Sequence, residues 1–282
     1  YLTSSDEVVR HLKEYFSSDE KAELPAVLGF GLGLGSLAPG LMAAGLKKSV
    51  TQMAKMFITG ETPEEGVKAM RRMRDNNLTF TVDILGEATV SEAETLDYQK
   101  RYTELIEKLA KESESWKEHE LLDRDHMGPI SKVNVSVKVS ALFSQFDPID
   151  HKNSINSVKE KLRPILRRAK QLGVFINLDM ESYFHKDITL DLFKDLMGEE
   201  EFQDHNNVGI VIQAYLKDSA NDLADLIAWA KKRSGRITIR LVKGAYWDYE
   251  TVLSQQRNWP CPVYTNKKET DANYETLTLM LL

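Results

Sequence analysis

Val133-Asn134-Val135-Ser136-Val137-Lys138-Val139-Ser140 alternates apolar and polar residues without a break. In a β-strand successive side chains point to opposite faces. The four valines therefore share one face, and Asn134, Ser136, Lys138 and Ser140 share the other. Four further short segments repeat this asymmetry. In 78–85, Thr79, Thr81 and Asp83 oppose Phe80, Val82 and Ile84. In 174–179, Asn177 and Asp179 oppose Ile176 and Leu178. In 208–213, Gly209, Val211 and Gln213 oppose Val208, Ile210 and Ile212. In 237–242, Thr238, Arg240 and Val242 oppose Ile237, Ile239 and Leu241. An open doubly wound sheet is covered on both faces and reads apolar on both. One apolar face for covering helices, with one smaller and more polar face, predicts a barrel with a polar mouth.

Between these segments lie helical patterns at 91–116, 152–172, 188–197 and 219–233. Ser91 and Glu94 have capping-box spacing, Gly173 stands where a helix C-cap is expected, and Pro164 is expected to kink or interrupt its helix. Strand–helix alternation predicts a parallel α/β sheet. Before residue 76 the texture is helical. Ser4 and Glu7 make a capping pair, a helix is predicted over 41–58, and another starts at Thr62 with Pro63 in its first turn and Glu65 closing the box. The expected division is a helical arm or connector at 1–75 and the barrel at 76–282. Residues 24–46 carry no charge and are long enough to span a bilayer. They also hold six glycines and two prolines, which would leave backbone groups unpaired in lipid. A glycine-rich connector packed on a soluble domain is the expectation.

The 282 residues are 42% hydrophobic and 28% charged, a globular rather than a disordered balance. A net charge of −6 argues against a dedicated nucleic-acid binder, whose footprint is basic. The single cysteine, Cys261, cannot form an internal disulfide, which fits a reducing, cytoplasmic setting. Flanked by Pro260 and Pro262 and with no evident activating base, it reads as an inert thiol. No secretory leader pattern is visible. The six histidines show no ligand spacing on one element, so no metal is expected.

The polar face closes each strand with a hydrogen-bonding or charged group: Asp83, Lys138, Asp179, Gln213 and Arg240. These are the C-terminal strand ends, where barrel enzymes place their chemistry. Two cations and two carboxylates suit an anionic substrate or cofactor, and Arg240 offers a rigid donor fork to a carboxylate, a phosphate or an electron-rich ring edge. In the run Arg240-Leu-Val-Lys243-Gly244-Ala245-Tyr246-Trp247-Asp248, Gly244 permits close backbone approach, and Tyr246 and Trp247 supply flat surfaces for a planar ligand. A buried lysine with a depressed pKa can form a Schiff base, so Lys138 also supports an aldolase-like barrel. A neighbouring carboxylate would keep Lys138 charged and counts against that alternative. In a non-catalytic scaffold the polar strand ends would simply pair with one another.

The run Ile239-Arg-Leu-Val-Lys-Gly-Ala-Tyr-Trp-Asp248 resembles the most distinctive motif of flavin-dependent proline dehydrogenases, especially that domain in the bifunctional proline utilization A group. Phe57-Ile-Thr-Gly-Glu-Thr62, Asp83-Ile-Leu-Gly-Glu-Ala88, Val135-Ser-Val-Lys-Val-Ser-Ala-Leu142, Leu178-Asp-Met-Glu181, Val211-Ile-Gln-Ala-Tyr215 and Pro262-Val-Tyr-Thr265 follow in the same order. The resemblance covers about residues 40–282. It implies a distorted (β/α)8 barrel of TIM type with FAD across its mouth. It also implies oxidation of L-proline to Δ1-pyrroline-5-carboxylate, with hydride passing from C5 to flavin N5 and electrons leaving to a membrane quinone.

Carried over residue by residue, the resemblance puts Arg240 at the flavin N5 edge and a ring hydrogen bond on Gln213. Met180, Val242, Lys243, Gly244, Ala245 and Trp247 line the FAD. Lys138 binds the proline carboxylate, Asp179 organises that pocket, Tyr246 and Ala245 meet the substrate, and Glu87 closes the site through an ion pair. The family barrel has eight strands, against five predicted here. The family's last helix, with its pair of carboxylate-binding arginines and the Glu87 partner, has no counterpart after Tyr264. The expectation is therefore a segment of a longer protein, three strands short of closure. An aldehyde dehydrogenase domain is expected in that longer chain, with transient peripheral contact at the inner face of the membrane.

Overall fold

The computed structural model describes residues 7, 45, 48, 50–54, 58–60, 62–86 and 88–282. Two compact units emerge, Tyr1–Ala69 and Met70–Leu282. In the first, residues 50–54 are helical while Ile58 is not. Ser4 of the pair Ser4 and Glu7, nearly all of 24–46 and much of 41–58 lie outside the described residues. Helix α1 (Pro63–Asp75) begins as its sequence predicts, with Thr62 Oγ1 accepting the Glu65 N–H at 3.3 Å.

The second unit is built on a parallel sheet. In chain order the elements are β1 (Val82–Asp83), α2 (Glu92–Ser113), α3 (Glu120–Asp123), β2 (Arg124–Asp125), β3 (Gly128–Pro129), β4 (Asn134–Val137), α4 (His151–Leu172), β5 (Phe175–Leu178), α5 (Tyr183–Met197), β6 (Val208–Gln213), α6 (Ser219–Ala230), β7 (Thr238–Val242), α7 (Trp247–Arg257) and α8 (Lys267–Leu281). Strands β2 and β3 form a small antiparallel hairpin, and the other five pair in parallel in the order β1-β4-β5-β6-β7. That order never reverses. Crossovers between parallel strands are right-handed, so a one-way order puts every crossover helix on the same face. A doubly wound sheet requires a reversal.

The sheet also curls. Strands β4 and β7 are three steps apart, about 14 Å in a flat sheet, yet Arg240 Nη2 lies 3.5 Å from Ser136 Oγ. An arginine and a serine side chain bridge that separation only when the polar face is concave. The fold is α/β of the TIM-barrel type, seen as an arc of five strands. Among the described residues the arc does not close, because β1 and β7 each have one neighbour.

The core lies between the strands' apolar face and the helices. Val135, Val137, Ile176, Leu178, Ile210 and Ile212 are buried, as are Ile106 and Leu109 of α2, Leu162 and Ile165 of α4, Leu192 and Leu196 of α5, and Leu223 and Leu226 of α6. Each such side chain contributes about 1.5–3 kcal/mol by leaving water.

Three local expectations need correction. The strand predicted over 78–85 forms a ladder only at Val82–Asp83, because among the described residues it is an edge strand with the short β4 as its one partner. Strand β4 ends at Val137 and the chain turns into a 3-10 helix at Val139–Leu142. Pro164 does not interrupt α4. It sits on the exposed side of that helix, as does Glu160 one turn earlier, so the carbonyl deprived of its partner meets water. Capping behaves as expected: Ser91 accepts the Glu94 N–H at 3.3 Å, Glu94 accepts the Val90 N–H at 2.9 Å, and Gly173 takes the left-handed conformation, φ 67°.

Candidate active site

Four of the five predicted strand-end groups converge. Lys138 follows β4, and its Nζ pairs with Asp83 at the end of β1 and lies 3.4 Å from Asp179 Oδ2 after β5. Arg240 on β7 reaches across β6 to pair with Asp179 Oδ1. Ser136 ties the group together: its Oγ donates to Asp179 Oδ1 at 2.7 Å and accepts from Asn177 Nδ2 at 3.3 Å. Gly209 is the β6 residue beside Asn177. A Cβ there would stand 2.9 Å from Asn177 Oδ1 and 2.9 Å from the Thr238 carbonyl, so a larger residue would block this floor.

The charges set one another. Burial pulls the Lys138 ammonium down, but the hydrogen bond and charge of Asp83 and the charge of Asp179 outweigh it, and its pKa rises. Burial raises the Asp83 carboxyl, only partly offset by Lys138. Lys138 is thus held as an ammonium, the wrong protonation state for the nucleophile of the aldolase-like alternative.

Gln213 stands apart from this cluster. Its Nε2 donates to the carbonyls of Glu181 at 3.0 Å and Met180 at 3.4 Å. Its Oε1 is buried with no partner among the described residues, and so is Arg240 Nε. An orphaned acceptor and an orphaned donor on adjacent strands fit a polar ring edge, because buried polar atoms are almost always paired. Gly244 has φ 127°, and a Cβ there would stand 2.5 Å from the Tyr215 ring. Tyr215 donates its N–H to the Lys243 carbonyl and Ala214 to that of Val242, both at 2.8 Å, which locks the run after β7 onto the end of β6. Tyr246 packs half-buried on Tyr215, Leu216 and Val263. Trp247 opens α7, 42% exposed, with its indole donating to the Tyr264 carbonyl at 2.9 Å. Ala245 is exposed, Met180 is buried, and Lys243 pairs with Asp271 of α8. Glu87 lies outside the described residues.

Two contributors had little or no functional signal in the sequence. Ser136 was on the polar parity of β4 but carries no charge to draw attention. Tyr102 lies at an apolar position of α2, fully buried, and its hydroxyl accepts the Lys138 backbone N–H at 3.2 Å. That bond replaces a ladder partner where β4 ends. Burial, reinforced by the charges of Asp83, Asp179 and Glu181, pushes the Tyr102 phenol well above its usual range and keeps it neutral. Among the described residues, no group of three or more His, Cys, Asp or Glu side chains is placed to hold a metal, and no helix is long and apolar enough to cross a membrane.

A one-way parallel sheet with its charged cluster and orphaned polar atoms at the C-terminal strand ends defines a TIM-type barrel with its site at the mouth. The proline dehydrogenase family model matches residues 66–282, and that of the proline utilization A N-terminal domain matches residues 1–57. The chain belongs to the proline dehydrogenase family. It is 31% identical over 250 residues to the bifunctional protein PutA of Escherichia coli, covering 88% of this chain and 18% of that protein. It is 29% identical to the proline dehydrogenase of Deinococcus radiodurans, covering 84% of this chain and 63% of that one. The structure of proline utilization A from Bdellovibrio bacteriovorus inactivated by N-propargylglycine superposes with a TM-score of 0.89 at 50% identity, covering 99% of this chain and 27% of that one. The chain thus spans less than a fifth of the bifunctional relative from E. coli.

Proposed function

We propose that this chain supplies the substrate and cofactor site of a proline dehydrogenase that oxidises L-proline to Δ1-pyrroline-5-carboxylate in proline catabolism. The observation that carries the reading is the pair of orphaned atoms on adjacent strands, Gln213 Oε1 and Arg240 Nε, the latter on a guanidinium that Asp179 holds together with the Lys138 ammonium. FAD, when bound, would supply the two-electron acceptor for a hydride from proline C5, and the substrate nitrogen would give up its proton to solvent as the C5=N double bond forms.

In this reading Lys138 anchors the substrate carboxylate. Asp179, held by Ser136 and Arg240, keeps that ammonium oriented. Arg240 turns its free donor to the ring edge, where a cation stabilises negative charge as it develops, and Gln213 offers an acceptor to a ring N–H. Met180, Val242, Lys243, Gly244, Ala245 and Trp247 line the cofactor, and Tyr246 and Ala245 wall the substrate. Glu87 gates the pocket through an ion pair. The arm at 1–75 and barrel at 76–282 are proposed as the functional division, a few residues from the boundary between compact units after Ala69. We also propose a longer bifunctional protein that carries an aldehyde dehydrogenase domain. It would work in the cytoplasm, touch the membrane peripherally and pass electrons to a quinone, with no nucleic-acid partner.

One visible spectrum tests the centre of this reading. The full-length protein should be yellow, and L-proline without oxygen should bleach it. A colourless protein that borohydride links covalently to a carbonyl substrate at Lys138 would overturn it in favour of the aldolase-like barrel.

A further inference from the structure

The two carboxylates beside Lys138 are held very differently. Asp179 accepts from Ser136 and Arg240 as well as facing Lys138, and its side chain is 13% exposed. Asp83 has one side-chain partner among the described residues, Lys138, and is 38% exposed. It also stands on the two-residue edge strand β1, the least supported strand of the arc. We propose that Asp83 is an exchangeable counter-ion: it holds the Lys138 ammonium in the ligand-free protein and yields it to the carboxylate of the incoming amino acid.

This inference rests on the reading of Lys138 as carboxylate anchor and adds a partner that must leave. Asp83, Asp179, Lys138 and Arg240 together are neutral. An entering carboxylate leaves them one negative charge in excess, and the group that gives way is the one with a single bond and a path to water. Asp179, tied three ways, stays. When product leaves, Asp83 closes on Lys138 again and restores the second carboxylate beside Asp179. Asp83 is therefore a positioning residue that costs affinity.

A second readout follows from the charges facing Asp83, which are Lys138, Asp179 and Arg240. Losing its cation to a ligand anion makes Asp83 hold a proton more tightly. Binding then takes up a proton, so affinity falls as pH rises through the range between the free and bound pKa, and levels off above it.

The test uses tetrahydrofuran-2-carboxylate, which has proline's ring and carboxylate but no amine to oxidise. It is titrated into full-length flavin-loaded protein by calorimetry and by the flavin absorbance shift, above about pH 5 where the ligand is ionised. Asp83→Asn should bind it about two- to fivefold more tightly, on the scale of a partly exposed charge pair, with a flatter pH profile. The gain should vanish in a Lys138→Met background. Asp83→Ser repeats the test should the Asn variant fold poorly. Binding by wild type with equal or weaker binding by both variants overturns the exchange and leaves Asp83 as a simple brace for Lys138. No binding by wild type overturns the anchor reading of Lys138 and the exchange with it.

Discussion

Arg240 and Asp179 are paired although a whole strand, β6, runs between theirs. The contact is possible because the polar face is concave, so that Arg240 reaches Asp179 over Val211, the β6 residue level with it. This pair holds the guanidinium in place while leaving its Nε without a partner among the described residues. Removing it should be costly for chemistry rather than for folding. Arg240→Met should lower the rate constant of flavin reduction at saturating proline by about 10²–10³, the loss seen when one preorganised charge-stabilising donor is removed. Anaerobic stopped-flow absorbance measures it, and an unchanged rate removes Arg240 from its assigned role.

Tyr102 tests the support beneath the site. Tyr102→Phe leaves the Lys138 N–H without its acceptor, at a cost of about 1–3 kcal/mol for an unpaired buried group. Because Lys138 would then sit less firmly, KM for proline should rise several-fold while flavin reduction at saturation changes little. Steady-state kinetics with a denaturation midpoint separates the two effects. A loss of stability with KM unmoved would make Tyr102 structural only.

Gly244 tests the run after β7. At φ 127° an alanine is strained, and its Cβ would meet the Tyr215 ring at 2.5 Å. Gly244→Ala should lower Tm by roughly 3–8 °C, from about 1–3 kcal/mol of backbone strain, and should loosen flavin retention on dilution. A variant with native Tm and full flavin content would show that Tyr215 moves freely, contrary to its backbone bonds on both sides.

His205 supplies a pH dependence remote from the site. Burial, aided by the charges of Lys170 and Arg233, pulls its imidazole down to about 4. The unfolded chain titrates near 6.5. Between those values the unfolded state binds more protons, so this contribution is complete above about pH 6.5 and is lost as pH falls toward 4. His205→Gln should flatten that limb, and wild type should lose about 2 kcal/mol more than the variant between pH 7 and 4. Urea unfolding at the two pH values provides the comparison, and parallel losses would rule the histidine out.

The alternation in 133–140 and its four relatives was sufficient to foresee a parallel sheet with one covered and one polar face, and parity alone nominated Asp83, Lys138, Asp179 and Arg240. Periodicity is local: it states which side a residue faces, and every β-strand obeys it. What it leaves open is which residues meet across strands. That Asp179 answers to both Lys138 and Arg240, that Ser136 joins them, and that Tyr102 supports Lys138 from a helix depends on strand order, register and curl. Those are set by the packing of residues far apart in the chain, 61 positions for Arg240 and Asp179. Strand ends were likewise misjudged, because a ladder stops where its neighbour stops, as at Val137, and not where the alternation does. The sequence by itself determined the faces, the caps and the motif run after β7. Only the tertiary structure decided which of the four charges is firmly tied and which is free to exchange, because that depends on how many partners the curled sheet brings within reach.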